Sequence, residues 1–464
     1  MPHSTVQLTN PYNQSLIREI PYDTTATVEQ ALQGAERAFQ QWRACSLAER
    51  IAQIEKGLAW LMQQGESIAT DVTLQMGKPL SQARGELDTL LDRARQSIAA
   101  APTALAPDLL PEKIGFIRRI AHEPLGIVLN VAAWNYPLVI PVNVIVPALL
   151  AGNVILLKHS HNTLLTGQAF EDAFAAADLP GLVTNLVIDH QQTARLIGDR
   201  RIAHVAFTGS VEGGRQIYRA VAAGRFIDVG LELGGKDPAY VAADADLDFA
   251  ATNLVDGACY NAGQSCCAIE RVYVQQDLYE PFLNKVCQAL TQYQLGDPLK
   301  EATTMGPLAR KRGLEELQQQ VDDAVTRGAR LLLGGAAVSG AAGNFYPPTL
   351  VAGAPNDARI MREESFGPLL PVAPVQDDDQ AIRLMNDSPF GLTASIWTAD
   401  AGRAERIAAR LQAGTIFQNR CDYLDPMLPW TGWGDSGKGS TLSRFGFYHL
   451  TRRKSIHLRT EVPS

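Results

Sequence analysis

The segment that decides the fold begins with Gly126-Ile127-Val128-Leu129-Asn130-Val131 and ends with Val154-Ile155-Leu156-Leu157-Lys158. Each end contains a continuous apolar run, which is typical of a parallel strand covered on both faces. The whole segment is longer than a membrane span requires, but its Asn and Pro residues would be costly in lipid. The pattern therefore predicts a buried strand, a tight loop, a short helix and a second buried strand, with a membrane protein as the alternative.

Outside this segment, the chain alternates apolar runs with amphipathic stretches, which predicts a doubly wound parallel sheet. Strands are predicted at 127–131, 154–157, 183–188, 203–207 and 239–241, and helices at 28–42, 48–62, 80–100, 166–176 and 212–222. A second cycle after Lys236 predicts a second α/β domain, with helices at 246–262, 278–292 and 308–326 and strands at 271–274 and 329–333. Two predicted strands, at 114–121 and 454–458, lie outside either sheet and are candidates for pairing across a subunit interface.

The composition of the 464 residues excludes several classes of protein. Hydrophobic residues make up 46% and charged residues 19%, an ordinary globular balance that predicts two or three domains at this length. A net charge of −8 and the lack of a Lys/Arg-rich run argue against a nucleic-acid partner. The six cysteines suggest neither a disulfide framework nor a zinc site, so no metal is predicted. No signal peptide is recognised at the N-terminus, so we expect a cytoplasmic protein.

Two short segments supply a thiol and a carboxylate in flexible surroundings. Cys266 lies in Asn261-Ala262-Gly263-Gln264-Ser265-Cys266-Cys267-Ala268, and Glu232 lies in Leu231-Glu232-Leu233-Gly234-Gly235-Lys236. A thiol that attacks and a carboxylate that moves protons are the minimum for covalent catalysis on a carbonyl. A lone Cys is more often part of a core and a lone Glu part of a solvated face. Further motifs must therefore support the interpretation, and we expect the adjacent Cys267 to point away and pack.

Two of these motifs lie at predicted strand ends. The turn Thr208-Gly209-Ser210 precedes a helix, where glycine lets the backbone approach a phosphate, although any tight turn favours Gly. Lys158 ends a buried strand, which is where open α/β sheets bind ligands. The alternative is that Lys158 binds no ligand and its side chain only extends until the charge reaches solvent at the edge of the sheet.

Two more motifs supply polar groups beside turns. Asn135, in Trp134-Asn135-Tyr136-Pro137, can donate a hydrogen bond to an oxyanion or can cap an X-Pro turn. Glu364 and Phe366 flank Ser365 before Gly367-Pro368. The carboxylate can accept hydrogen bonds from a ribose and the ring can pack on a flat ligand, or the segment can be a solvated turn.

Together these segments resemble the aldehyde dehydrogenase superfamily, whose members oxidise aldehydes to carboxylic acids with NAD or NADP. The resemblance extends from Gly77-Lys78-Pro79 to Ser436-Gly437-Lys438-Gly439 and includes Asn386-Asp387-Ser388-Pro389-Phe390-Gly391-Leu392. It implies an α/β fold with a Rossmann-like cofactor-binding domain (1–104 and 125–233), a second α/β catalytic domain (234–446) and oligomerisation strands (105–124 and 447–464). It also implies a small-molecule aldehyde substrate and a homodimer or homotetramer, with no membrane and no nucleic acid.

The resemblance implies a role for each candidate site residue. Cys266 would be the nucleophile, Asn135 and the Cys266 backbone N–H would hold the oxyanion, and Glu232 would activate the water that hydrolyses a thioester. A buried Glu can have its pKa raised toward neutrality, which suits a general base. The residues expected to bind NAD or NADP are Trp134, Lys158, Ser160, His161, Gly209, Ser210, Gly234, Glu364 and Phe366.

Five positions depart from the family pattern. His161 stands where many NAD-preferring members have a Glu that repels a 2′-phosphate, so we expect NADP to be accepted and even preferred. Arg420 is a candidate partner for a substrate carboxylate, with a structural pair to Asp422 or Asp425 as the alternative. Asn143 occupies a place where some semialdehyde-oxidising relatives have Arg, which counts against an acid-tailed substrate. The aromatic residues Trp430 and Trp433 would suit an apolar aldehyde or would simply pack.

Two competing functions remain at this level. A CoA-acylating relative would release the thioester to CoA, and such members commonly lack the base that Glu232 supplies here. A catalytically silent relative would have lost the thiol or the carboxylate, and both are present.

Overall fold

The computed structural model describes residues 5–176 and 180–461 of the chain. The helices are α1 (Thr25–Trp42), α2 (Leu47–Gln63), α3 (Gly65–Met76), α4 (Leu80–Ala104), α5 (Val139–Leu150), α6 (Leu164–Ala175), α7 (His190–Gly198), α8 (Val211–Ala222), α9 (Leu247–Cys259), α10 (Tyr279–Leu290), α11 (Lys311–Thr326), α12 (Arg359–Arg362), α13 (Asp378–Asn386), α14 (Ala401–Ala408) and α15 (Ser443–Tyr448). The strands are β1 (Thr5–Thr9), β2 (Leu16–Pro21), β3 (Asp108–Leu109), β4 (Phe116–Pro124), β5 (Ile127–Val131), β6 (Val154–Lys158), β7 (Val183–Asn185), β8 (Ile202–Thr208), β9 (Asp228–Glu232), β10 (Asp237–Val241), β11 (Ile269–Gln275), β12 (Arg330–Leu333), β13 (Thr349–Ala352), β14 (Leu369–Val375), β15 (Phe390–Gly391), β16 (Thr393–Trp397), β17 (Thr415–Gln418), β18 (Trp433–Gly434), β19 (Gly437–Lys438) and β20 (Thr451–Arg459).

Two large sheets form the predicted α/β architecture. The first has the strand order β19-β9-β8-β5-β6-β7 and is parallel except for β19, which pairs antiparallel with β9. The second has the order β12-β13-β14-β11-β10-β16-β17 and is parallel except for the edge strand β12. Every residue of β5 and β6 is buried, because helices cover both faces of a parallel sheet. The apolar segment 126–158 therefore forms a strand, α5 and a second strand, as predicted.

A third, smaller sheet contains both strands that were expected to lie outside the large ones. It has the order β20-β4-β3, and β20 pairs antiparallel with β4 over their full length. Residues 105–124 and 447–464 thus supply one common sheet, as far as the structure describes them. The proposed domain ranges stay a prediction; β19 lies within 234–446 and yet joins the first large sheet.

Several predicted elements are shorter in the structure, among them the helices predicted at 278–292 and 308–326, which span Tyr279–Leu290 and Lys311–Thr326. The helix predicted at 246–262 ends at Cys259, because Asn261 and Ala262 adopt left-handed backbone angles with φ of 53° and 55°. The strand predicted at 183–188 ends at Asn185. The early end of α9 matters for function, since it turns the chain into the loop that carries Cys266.

Within residues 5–176 and 180–461, no helix has the length and apolarity needed to cross a membrane.

Candidate active site

Four strands of the first sheet end at the same edge and deliver four candidate residues there. Asn135 follows β5, Lys158 ends β6, Gly209 follows β8 and Glu232 ends β9. Because parallel strands present their carboxyl ends at one edge, these residues converge where open α/β sheets bind ligands. The structure thus brings these four positions to one edge of the sheet, and their functional roles stay a prediction.

The loop that carries Cys266 is tied to the loop that carries Asn135. The Asn261 side chain donates hydrogen bonds to the Asn135 carbonyl at 3.0 Å and to the Gln264 carbonyl at 3.1 Å. Gln264 is held in turn, since its Nε2 donates to the Asn261 carbonyl and its Oε1 accepts from Ala309 N. Asn261 and Gln264 are buried. These hydrogen bonds therefore hold the loop of Cys266, whose side chain is half-buried, against the loop of Asn135.

Asn135 is itself buried, and its side chain forms no hydrogen bond with the described part of the chain. A buried amide normally has a partner. The free Asn135 amide is therefore available to a ligand at the thiol, as an oxyanion donor must be.

The neighbouring Cys267 faces a different environment from Cys266. It is buried in a small cluster with Leu392, Trp430 and Leu442, and its Sγ–H donates to Asp422 Oδ1 at 3.1 Å. Contact with the Cys266 thiol and burial raise the pKa of Cys267, and the facing Asp422 carboxylate adds to that rise. Cys267 therefore packs as expected, with a polar partner that the sequence did not indicate.

Glu232 lines a cavity between the end of β9 and α15. Its carboxylate accepts hydrogen bonds from the hydroxyls of Thr441 and of Thr208, the latter at 3.4 Å. Burial raises the pKa of Glu232, while those hydroxyls and the charge of Arg93 oppose the rise. The loop after Glu232 touches the Cys266 loop, because a Cβ at Gly235 would lie 2.6 Å from the Cys266 carbonyl oxygen. Glu232 and Cys266 are thus brought to one site.

The Lys158 end of the site is rich in cationic groups. Lys158 is buried and forms no hydrogen bond or ion pair with its side chain among the residues described. Burial lowers the pKa of Lys158 to about 8, and the nearby charge of Arg310 acts in the same direction. The Arg310 guanidinium lies 5.0 Å from the centre of the Trp134 ring.

Ser160 and His161 follow Lys158 and lie farther along the same edge. The His161 ring stacks edge-on against Tyr22 with centroids 5.5 Å apart, and its Nε2 lies 3.0 Å from the Ile188 carbonyl. Burial lowers the pKa of His161, so the ring is neutral and donates from Nε2 to that carbonyl. The Nε2–H of His161 is therefore already used by a backbone carbonyl.

The turn at Gly209 and Ser210 leads directly into α8. Ser210 is the N-cap of this helix, and its Oγ accepts a hydrogen bond from Gly213 N at 3.2 Å. A Cβ at Gly209 would lie 2.7 Å from the Phe207 ring, so a larger residue at this turn would require that ring to shift. The exposed helix N-terminus suits an anionic group.

Glu364 and Phe366 lie on a loop that the buried Glu270 holds in place. The buried carboxylate of Glu270 accepts from the backbone N–H groups of Ser365 and Phe366, and it pairs with Lys236 at 2.8 Å. Glu364 accepts from Gly235 N at 3.2 Å, and burial raises the pKa of Glu364 to about 8. A Cβ at Gly234 would overlap this carboxyl group, which explains the glycine there.

The Phe366 ring lies edge-on to the Trp134 ring, with centroids 5.5 Å apart. Phe366 adopts a left-handed backbone with φ of 51°, an uncommon conformation for an aromatic residue. The Glu270 carboxylate holds this conformation in place through the Phe366 N–H, so the ring is presented to the cleft that Trp134 also faces.

The residues considered for substrate selection separate in the structure. Arg420 is exposed, and its guanidinium lies 3.3 Å above the Tyr423 ring rather than against Asp422 or Asp425. Trp430 is buried beside Cys267, whereas Trp433 is half exposed on β18.

Sequence reasoning missed several residues of the site, chiefly Arg93, Glu86, Asp422 and Thr441. Glu86 and Arg93 lie on the buried face of α4, on which Ala83, Leu90 and Ala94 also lie. Charged residues inside an apolar helical stripe were the available signal. Asp422 and Thr441 lie in irregular segments, where no periodicity marks them.

A model of the aldehyde dehydrogenase family matches residues 1–456 of the chain. The chain is 35% identical over 453 residues to the succinate semialdehyde dehydrogenase (NAD(P)+) Sad of Escherichia coli, covering 96% of each. It is 33% identical over 458 residues to the lactaldehyde dehydrogenase of Escherichia coli, covering 98% of this chain and 95% of that protein. The solved structure of succinic semialdehyde dehydrogenase from Streptococcus pyogenes with NADP+ matches with a TM-score of 0.94 and 30% identity, covering 98% of this chain and 100% of the other.

Proposed function

The chain belongs to the aldehyde dehydrogenase family, and we propose that Cys266, Asn135 and Glu232 oxidise its aldehyde substrate to the carboxylic acid. The observation that carries this proposal is the Asn261 side chain, which ties the Cys266 loop to the Asn135 loop. Through it, a nucleophile and a free oxyanion donor are held at one place. Glu232 lies at the adjoining strand end with a pKa above the ordinary carboxylic value.

The chemistry begins at the thiol. The Cys266 thiolate forms a bond to the carbonyl carbon, and the carbonyl oxygen becomes an oxyanion that accepts from the Asn135 amide and the Cys266 N–H. NAD or NADP supplies the acceptor for the hydride that leaves this carbon, and the product at Cys266 is a thioester. Glu232 then removes a proton from water, whose oxygen bonds to the acyl carbon. The carbon–sulfur bond breaks, the acid departs and the Cys266 thiolate is restored.

The residues at the cleft fit a dinucleotide. Lys158 is buried without a carboxylate partner in the described chain, so its charge is available to an anionic cofactor. Lys158 and Ser160 would hold the adenosine ribose, and Gly209 and Ser210 would line the pyrophosphate turn. The residues that would hold the nicotinamide end are Trp134, Gly234, Glu364 and Phe366.

NADP is the preferred cofactor in this proposal. No carboxylate occupies position 161 to repel a 2′-phosphate, and Lys158 and Arg310 add positive charge nearby. Steady-state kinetics with both cofactors tests the preference, and NAD favoured more than about tenfold in kcat/KM would contradict it. Installing the carboxylate with H161E is expected to shift the preference toward NAD.

The sheet β20-β4-β3 is proposed as the contact between subunits of a homodimer or homotetramer. Its three strands expose the apolar side chains of Leu109, Ile117 and Leu458, and exposed apolar strand surface is normally covered by a partner. Light scattering coupled to size-exclusion chromatography is expected to show a mass of at least two chains. A monomer at micromolar concentration would refute this assignment.

The catalytic assignment is tested by formation of reduced cofactor with C266A and E232Q. We expect C266A to lose at least about 10⁴-fold in kcat. E232Q is expected to give a burst of about one reduced cofactor per site and then stop, because acylation proceeds without hydrolysis. C45A, which changes a thiol between α1 and α2, is the matched control and keeps full turnover.

The two competing functions predict different outcomes in the same assay. Turnover by the unaltered chain only after CoA is added would assign the CoA-acylating reaction and remove the role of Glu232. No turnover by the unaltered chain with any aldehyde, with or without CoA, would assign the catalytically silent alternative.

A further inference from the structure

Arg93 is a buried cation with no anionic partner. It lies on α4 with 8% of its surface exposed, and it forms no salt bridge with any residue in 5–176 or 180–461. Its only side-chain hydrogen bond there runs from Nη1 to Asn143 Oδ1 at 3.3 Å, and its buried Nε has no partner. Burying a guanidinium without an acceptor costs free energy, so a group that pairs with it is expected.

Arg93 lies beside the cavity that Glu232 lines, because Asn143, the acceptor of its Nη1 hydrogen bond, lines the same cavity. Burial lowers the pKa of Arg93, and the Glu232 carboxylate opposes this shift more than any other charged group. The guanidinium therefore lies close to the proposed base. It is a second feature of the site, besides Asn135, that presents unsatisfied donors to a ligand.

Neither nearby carboxylate is free to pair with Arg93. Glu86 pairs with the buried Lys78 and accepts from the backbone N–H groups of Leu138 and Val139, at the start of α5. Glu232 accepts from the hydroxyls of Thr441 and Thr208.

We propose that Arg93 binds the carboxylate of a substrate that carries an acidic group at one end and the aldehyde at the other. Nη1 is used by Asn143 and Nε is fully buried, so Nη2 is the remaining donor of the guanidinium. A carboxylate oxygen that accepts from Nη2 would form a charge-assisted hydrogen bond. The substrate class is then a short semialdehyde. This inference rests on the proposed function, because it requires the aldehyde carbon at Cys266.

Asn143 has a supporting part in this proposal. From the sequence, an Asn at this place counted against an acid-tailed substrate. In the structure, the Asn143 amide oxygen accepts a hydrogen bond from the guanidinium of Arg93, which lies on α4, whereas Asn143 itself lies on α5. Arg420, the cation that the sequence offered, is exposed and stacks on Tyr423.

The first experiment compares two substrates on the unaltered chain. We expect kcat/KM with NADP to be at least about tenfold higher for 4-oxobutanoate than for its neutral methyl ester, since charge-assisted bonds are worth about that factor or more. Equal values would overturn the inference while leaving the proposed function intact. No oxidation of either aldehyde would instead count against the proposed function. Glyceraldehyde 3-phosphate preferred over 4-oxobutanoate would overturn the choice of a carboxylate.

Variants then assign the effect to Arg93. R93M is expected to lower kcat/KM for 4-oxobutanoate about 10- to 100-fold, mainly through KM, and to change the ester value less than about threefold. R93K keeps the positive charge but lacks the planar guanidinium group, so an intermediate loss of kcat/KM is expected. R95M, which removes an exposed guanidinium from the same helix, is the control and has no effect on either substrate.

Two results would overturn this assignment. An equal loss on the acid and on the ester in R93M would mean that Arg93 acts through Glu232 and not on the substrate. A selective loss on the acid in R420M, with R93M unchanged, would move the carboxylate site to Arg420.

Discussion

Four buried cations near the active site divide into two pairs. Lys78 and Lys236 each form a salt bridge with a buried glutamate, Glu86 and Glu270. Lys158 and Arg93 are also buried but have no salt bridge in the part of the chain that the structure describes. All four have a pKa lowered first by burial. The difference lies in what surrounds the charge, because only the first two have a carboxylate that compensates it.

The paired cations hold loops, whereas the unpaired ones face the cleft. Glu86 accepts from the backbone at the start of α5, and Glu270 accepts from the backbone of the Glu364–Phe366 loop. Each salt bridge thus fixes a carboxylate whose other bonds position a segment of the site. An uncompensated cation is costly unless a ligand supplies the anion. The comparison therefore predicts that Lys78 and Lys236 help to position segments of the site, whereas Lys158 and Arg93 bind ligand.

The largest effect is expected when a paired cation loses its partner. E270Q leaves Lys236 charged and buried without an anion, so we expect the free energy of unfolding to fall by about 3–5 kcal/mol. Urea denaturation measures this value. K236M/E270Q removes the charge as well and is expected to recover most of the loss, while E316Q, in the exposed Arg312–Glu316 pair, serves as the control with little change. A loss below about 1 kcal/mol in E270Q would show that the pair is not structural.

The sequence predicted the strands that carry this site better than it predicted the residues that hold its loops in place. Apolar runs such as Ile127–Val131 and Val154–Lys158 specify buried parallel strands by themselves, and the ends of those strands locate Asn135 and Lys158. The end of α9 at Cys259 was missed, because the left-handed angles at Asn261 and Ala262 depend on the hydrogen bonds of the Asn261 side chain across loops. Ala262 in particular carries no local preference for such angles.

The buried charges were missed for a related reason. Arg93 follows Leu90 by three residues on α4 and so falls on the apolar stripe, yet a single charge there says nothing about which partner it has. That question is answered only in three dimensions, where Lys78 meets Glu86 and Arg93 meets Asn143. Pairing between side chains of distant segments depends on the packed structure, and the local spacing of residues does not reveal it.

A smaller effect is expected from removing an unpaired cation. K158M takes away a charge that no described carboxylate compensates, so the free energy of unfolding is expected to stay the same or to rise. The KM for NADP is expected to rise about 10- to 100-fold, since the lost contact is charge-assisted. Steady-state kinetics and urea denaturation measure the two quantities together. K56M, which removes an exposed lysine of α2, is the control.

Loss of stability in K158M without a change in KM would reverse the classification. Lys158 would then belong with Lys78 and Lys236, and its burial would be structural.

The smallest effect concerns pH and follows from the same lysine. Burial lowers the pKa of Lys158 to about 8, so the side chain is cationic below that pH and loses its proton above it. Because the cationic form attracts the phosphates of the cofactor, the KM for NADP is expected to rise about tenfold between pH 7 and pH 9. A lysine with an ordinary pKa would instead stay largely charged throughout this range and leave KM nearly constant. Initial rates with NADP varied at each pH give the profile, and K158M, which has no amine to titrate, should lose the rise near pH 8. A rise that persists in K158M would assign the titration to another group, and Lys158 would then retain its charge in the cleft at every pH tested.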